Sequence, residues 1–156
     1  MKKDLKLLTA SSEDISELYD LQKTAFESEA EMIGSRNIPA LRETKQESKN
    51  DFVNWKVLKL INTSNAIVGA IRYKKHNGKI EVGRVMVHPD YRKQGLAQWL
   101  LQEVDKEHPY DVKELYTCTK SWININLYKK MGYKVHHEVC QDDGLTYVYM
   151  RKYSSK

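Results

Sequence analysis

The residues with the clearest chemical promise form one run, Val85-Met86-Val87-His88-Pro89-Asp90-Tyr91-Arg92-Lys93-Gln94-Gly95-Leu96-Ala97. An apolar, strand-type segment stops at a proline, and a basic loop containing glycine then opens into an amphipathic stretch. Strand, loop and helix start in that order make a cradle for a phosphate. N–H groups at a helix start have no intrahelical partner, and the helix dipole favours an anion there. Gly95 lets backbone approach the anion closely, and Arg92 and Lys93 add positive charge. The chemistry predicted here is docking of a phosphate or pyrophosphate.

That cradle needs a strand before it and a helix after it. Lys79 to Val87 reads as the strand, and Gly95 to about Glu107 as the helix, packed through Leu96, Leu100, Leu101 and Val104 and stopped at His108-Pro109. Upstream, Leu5 to Thr9 reads as a strand. A helix capped by Ser11 or Ser12 follows, buried through Ile15, Leu18, Leu21, Ala25 and Phe26. The polar stretch from Glu27 to Asn50 reads as a loop with a short second helix. Trp55 to Ile61 and Ala66 to Lys75 are strands, and His76-Asn77-Gly78 is a hairpin turn into the strand at Lys79. Lys113 to Thr119 is a strand, and Ser121 caps a helix that stops at Gly132. Tyr133 to Val139 and Leu145 to Met150 are the last two strands, turning at Asp142-Asp143-Gly144. The expectation is one α/β domain over residues 1–156 (α+β by some schemes), built around a single mixed sheet.

Composition narrows the function classes. The chain has 156 residues, 40% of them hydrophobic, enough for one packed core. Its 26 Lys+Arg against 21 Asp+Glu give a net charge of +5, but the basic residues are spread along the chain. No aromatic-basic stripe or recognition helix stands out, so no nucleic-acid partner is expected. Met1-Lys2-Lys3-Asp4-Leu5-Lys6 is not followed by an uncharged apolar run, and two cysteines make no disulfide framework. The expected setting is the cytoplasm, with no membrane partner. His136, His137 and Cys140 do not make a metal site, because a strand sends adjacent histidines to opposite faces and no second ligand pair has zinc spacing. Trp99 and Trp122 are expected to pack.

The element order and the loop resemble the GNAT superfamily of acetyl-CoA-dependent N-acetyltransferases. The family's (Gln/Arg)-x-x-Gly-x-(Gly/Ala) loop stands here as Arg92-Lys93-Gln94-Gly95-Leu96-Ala97. Its second signature, L-Y-x-x-x-G-(F/Y), stands as Leu127-Tyr128-Lys129-Lys130-Met131-Gly132-Tyr133. The resemblance covers nearly the whole chain and implies a mostly antiparallel sheet, with helices flanking it and a parallel fourth and fifth strand that splay apart. It implies acetyl-CoA as cosubstrate and no metal. The pantetheine arm would follow the fourth strand near Met86 and Val87, and the pyrophosphate would meet the N–H groups of Lys93, Gln94, Gly95, Leu96 and Ala97 below Arg92.

The implied reaction moves an acetyl group from the thioester directly to a primary amine of a small molecule or a peptide. An alternative is a non-catalytic acyl-CoA-binding or regulatory module on the same fold. Tyr128 matches the family tyrosine that reaches the coenzyme sulfur, and a phenol stays protonated at neutral pH. Its other reading is a core aromatic. Glu81 stands eleven residues before Arg92, the spacing of the glutamate base in the histone-acetylating branch. Its other reading is a solvated strand glutamate. Alternation puts Glu81 on one face with Gly83, Val85 and Val87, unless a bulge alters the phase. His88 is a weaker base candidate. Where the family often has asparagine this chain has Ser121, so the coenzyme contact falls either to Ser121 or to Asn124, one turn before Tyr128, with Asn126 on a different helix face the weaker substitute. Cys118 lies near the acetyl end or is simply buried. The run Glu27-Ser28-Glu29-Ala30-Glu31 either attracts a cationic amine or is a solvated helix end, the plainer reading. A homodimer is compatible with the family but not legible here.

Overall fold

The hydrophobic periodicity of the first helix does not stop where the charges begin. In the computed structural model, which describes residues 4–153, helix α1 runs Ile15–Ile33 and buries Leu18, Leu21, Gln22, Ala25, Ala30 and Ile33. The charged start Met1–Lys3 lies outside the described residues. Ser11 caps the entry: its Oγ accepts from Glu13 N, and the Asp14 carboxylate accepts from Ser11 N at 2.9 Å. Gly34 ends the helix, donating to Ala30 O at 2.8 Å. The stretch read as a loop with one short helix is therefore the last third of α1 followed by two short helices, α2 (Pro39–Arg42) and α3 (Lys45–Asp51). The buried stripe continues through Ala30 and Ile33 while Glu31 stays in solvent, so charge density alone did not mark a helix end.

Among the described residues seven strands form one sheet: β1 (Lys6–Thr9), β2 (Lys56–Ile61), β3 (Ile67–His76), β4 (Lys79–Val87), β5 (Lys113–Cys118), β6 (Lys134–Cys140) and β7 (Thr146–Lys152). Their order is β1-β2-β3-β4-β5-β7-β6, and every neighbouring pair is antiparallel except β4 and β5. Helix α4 (Leu96–Glu107) sits on one face of the sheet with Leu96, Leu100, Leu101 and Val104 against Leu58, Leu60, Ile71 and Ile80. Helix α1 covers the other face, packing Leu18, Leu21 and Ala25 against Val57, Ala70 and Met86. Helix α5 (Trp122–Lys130) follows β5.

Two departures from regular pairing shape the site. The first is the parallel pair. β4 and β5 meet only at Ile80–Lys113 and Glu81–Glu114, then part, so the edges beyond are free for something other than a strand. The second is a bulge in β4. Ala70 faces Met86 and Arg72 faces Gly83, so two steps on β3 match three on β4. The extra residue falls at Arg84, in the left-handed region with φ +47°. An extra residue reverses the alternation. Ile80, Val82, Val85 and Val87 all pack on the α4 side, while Gly83 faces Trp55 and Arg72 on the α1 side. Glu81 therefore does not share a face with Val85 and Val87. Simple alternation fails there because of the bulge.

A second bulge corrects the histidine argument. In β6 the register shifts between Val135 and His137, so the rings of His136 and His137 lie together with their Nδ1 atoms 2.7 Å apart. Among the described residues no group of three or more His, Cys, Asp or Glu is placed to hold a metal. No helix among them is long and apolar enough to cross a membrane.

Candidate active site

A cleft of about 440 Å³ opens between the C-terminal half of β4, the loop before α4, α1 and α5. At one end are Arg92, Lys93, Gly95, Leu96 and Ala97; Val85 and Val87 form the floor; Asn124, Leu127 and Tyr128 close the other end. The loop turns through left-handed backbone at Lys93 (φ +64°) and at Gly95 (φ +77°), the residue before the first turn of α4. That turn leaves the first N–H groups of α4 pointing out of the helix into the cleft end. His88 N donates to Val68 O at 2.8 Å, so the next residue back, Val87, turns its backbone away from β3 towards the open edge.

Of the residues expected to hold a coenzyme, Val87, Arg92, Lys93, Gly95, Leu96, Ala97 and Asn124 line this cleft. Met86 and Gln94 do not. Met86 sends its side chain into the α1-side core opposite Ala70, so the backbone at the open edge is that of Val85 and Val87. The Arg92 guanidinium folds back, donating to Ala25 O at 3.0 Å and Val87 O at 3.3 Å. It ties α1 to the end of β4 while its charge stays at the loop.

A second, smaller cavity of about 110 Å³ lies in the splay between β4 and β5, roofed by α1 and α2. Glu81, Gly83, Arg84, Arg72, Trp55, Tyr116, Cys118 and Tyr147 are among its walls. Cleft and cavity share Phe26, Glu29, Val85 and Tyr128. Tyr128 is buried in the core beside Tyr133, its ring centroids 6.1 Å apart. Burial, with the Glu29 charge next, pushes its phenol above the usual tyrosine range, so it is fully protonated at neutral pH. The two readings of Tyr128 coincide: it is a core aromatic whose face also lines both spaces.

Glu29 is the residue that sequence reasoning undervalued. Burial pushes its carboxyl above the usual glutamate range, opposed by the Ser121 hydroxyl nearby and by hydrogen bonding from Asn124. Asn124 Nδ2 donates to Glu29 Oε1 at 2.8 Å. Ser121 was expected to cap α5. Its hydroxyl makes no capping bond; it is fully buried near Glu29, with no well-formed hydrogen bond. Its neighbours in the acidic run behave as solvated residues: Glu27 pairs with Arg36 at the surface, and Glu31 is exposed. The signal was available, since Leu18, Gln22, Ala25 and Glu29 form one helical stripe.

The weaker candidates resolve simply. His88 Nδ1 accepts from Asp90 N at 3.1 Å, capping the turn at Pro89–Tyr91. Cys118 is buried and on the cavity wall. Trp99 packs on the core as expected, but Trp122 is 61% exposed.

A splayed parallel pair, an anion cradle at the start of the next helix, and a phenol where two spaces meet define an acyltransferase domain. Residues 39–154 match the family described as Acetyltransferase (GNAT) domain, and the chain belongs to that family. A Bacillus subtilis (strain 168) protein named UPF0157 protein YqkA is 29% identical over 133 residues, 83% of this chain. The chain spans 37% of that relative's length. Among solved structures, PaiA N-acetyltransferase from Thermoplasma acidophilum, in complex with coenzyme A, superposes with a TM-score of 0.78 at 21% identity, covering 96% of this chain and 98% of that one. The Escherichia coli ribosomal-protein-S18-alanine N-acetyltransferase gives 0.75 at 15% identity, covering 97% and 96%.

Proposed function

We propose that this chain is an N-acetyltransferase that moves an acetyl group directly from coenzyme A to a primary amine. The observation that carries this reading is the shared wall: a cleft suited to the coenzyme and a cavity suited to an amine meet at Glu29 and Tyr128. The cleft fits the coenzyme chemically. Its floor is apolar, its β4 edge turns backbone away from β3 for amides to meet, and its mouth combines helix N–H groups with the charges of Arg92 and Lys93. Gln94 and Met86 serve through the backbone conformation they set in loop and strand. The coenzyme supplies the activated acyl thioester.

The chain's own groups handle the protons. Glu29 takes the proton of the incoming amine; burial raises its basicity above that of an ordinary glutamate, which suits a base. Asn124 holds that carboxylate in place. Tyr128 holds the proton that the departing sulfur requires, and burial keeps that proton on the phenol until it is needed. Glu81, in the cavity wall only, is a second carboxylate that could relay the amine proton. No covalent enzyme intermediate is needed, because both reactants face the same four residues. The cavity's 110 Å³ is below the ~300–1,000 Å³ of drug-sized clefts, which favours a small acceptor over a long peptide. The unpaired thiols of Cys118 and Cys140 suit the reducing cytoplasm.

The test is release of free coenzyme A thiol from acetyl-CoA by purified protein with a panel of primary amines. Amine-dependent release above the buffer rate is the expected result. Tight coenzyme binding with no turnover on any amine would replace this reading with the non-catalytic binding module.

A further inference from the structure

The cavity carries a charge arrangement that accepting an amine does not require. Arg72 on β3 and Arg84 in the β4 bulge both line it. Their carboxylate partners stand outside its walls: Arg84 Nη1 meets Glu43 Oε1 at 3.0 Å, and Arg72 Nη1 meets Asp51 Oδ2 at 3.4 Å. Each contact uses one of the five N–H donors that a guanidinium carries. Arg72 Nε is buried and has no hydrogen-bond partner among the described residues. Burial, and then the charge of Arg84, bring the Arg72 guanidinium down to about 10, so Arg72 remains a cation at neutral pH beside the positive charge of Arg84.

The surrounding structure holds this pair in position. The Arg72 guanidinium stacks on Trp55 at 4.1 Å, and Trp55 Nε1 donates to Asp51 Oδ2 at 3.0 Å. A β-carbon at position 83 would sit 3.3 Å from Arg72 Nε and 3.4 Å from the Trp55 ring, so glycine there lets the arginine lie flat across β4. Arg84 occupies left-handed backbone, a conformation disfavoured for any residue but glycine. Glu43 Oε1, which holds Arg84, is itself fixed by Gln22 Nε2 at 2.8 Å. Two fixed cations with spare donors make a site for a planar, bidentate anion.

We propose that the acceptor is an amine that also carries a carboxylate, an α-amino acid or a close relative, with its acid group held by Arg72 and Arg84. This rests on the acetyl-transfer reading above. Along β4, Arg84 is next to Val85 at the shared wall, so acid and amine need be only a few bonds apart. Glu29 lies at the amine end. Glu81 lies two residues beyond Gly83, roughly 7 Å further along the strand, at the end away from the transfer point.

The experiment pairs each α-amino acid with its decarboxylated amine: leucine with 3-methylbutylamine, phenylalanine with phenethylamine, tyrosine with tyramine, and so on. Thiol release is measured as kcat/KM, and binding to coenzyme A-saturated protein by calorimetry. At least one amino acid should exceed its decarboxylated partner by about 30-fold or more. In Arg72→Gln and Arg84→Gln that ratio should fall to about 3-fold or less, with Arg72→Lys recovering part of it. Circular dichroism identifies any variant that fails to fold, in which case the ratio is read from the other. Turnover of plain amines as fast as amino acids would overturn the acid subsite while leaving acetyl transfer standing. Arginine-dependent binding of amino acids with no turnover would overturn acetyl transfer while supporting the subsite. Neither turnover nor amino-acid binding would overturn both.

Discussion

The cleft and the cavity share four residues but are built by different means. The anion-binding side of the cleft is built largely of backbone from one continuous run of chain, namely an open strand edge, two left-handed residues at Lys93 and Gly95, and the first turn of α4, while side chains of α1 and α5 close the rest. The cavity is made of side chains brought from α1, α2, β3, β4, β5, α5 and β7. A ligand common to a whole family can be held by main-chain groups, whose geometry is insensitive to most substitutions. A ligand particular to one member has to be recognised by side chains. On the proposed reading, the shared chemistry belongs to the cleft and the individual specificity to the cavity.

Four substitutions test that contrast, in falling order of expected effect. Tyr128→Phe at the shared wall should lower kcat by about 10²-fold or more while coenzyme affinity stays within about 2-fold. An unchanged kcat at saturating coenzyme would remove Tyr128 from the acid role. Glu29→Gln should lower kcat/KM for the amine by about 10²-fold and abolish the acidic limb of its pH profile. In the parent protein that limb should lie above the usual glutamate range, since burial raises the carboxyl group. A raised native pKa also means that the folded state binds the proton more tightly than the unfolded state. The charged carboxylate therefore costs stability above that pKa, and the cost disappears as pH falls through it. Glu29→Gln should accordingly melt higher than the parent at pH 8, with the gap closing at acid pH. A variant that melts lower at pH 8 would mean that the Asn124 contact outweighs burial.

Gly95→Ala tests the backbone-built side. Left-handed geometry costs an alanine roughly 1–2 kcal/mol, so the coenzyme dissociation constant should rise by about 10-fold with amine KM little changed. An equal rise in both constants would mean that the loop supports the cavity as well. Glu81→Gln should have the smallest effect, within about 3-fold in kcat, because Glu81 lines the cavity alone. A loss as large as that of Glu29→Gln would move the base role to Glu81.

The same contrast explains what could be read in advance. The cradle from Arg92 to Ala97 and the helix carrying Tyr128 were legible because each is a local pattern of spacing and turn residues. Glu81 was legible as a residue, but its face was not, because one extra residue at Arg84 reverses the strand's phase and Gly83, a residue type common at bulges, does not say where the extra residue falls. Glu29 was hidden inside an acidic run that looked solvated, and only the continuation of the buried stripe past Ala25 singles it out. Ser121 has the residue type of a helix cap, yet tertiary packing turned its hydroxyl to the Glu29 carboxyl instead.

By itself the sequence determined the order of the strands and of the three longer helices, the glycine that lets the loop turn, and the phenol one helix later. Those features depend on contacts a few residues apart, which periodicity and turn chemistry express directly. Only the tertiary structure decided that Glu29 and Tyr128 share a wall, that β4 and β5 part after two pairs, and that Arg72 and Arg84 face one small space. Those juxtapositions join residues distant along the chain, and they follow from how the sheet, its bulge and its covering helices pack as a whole.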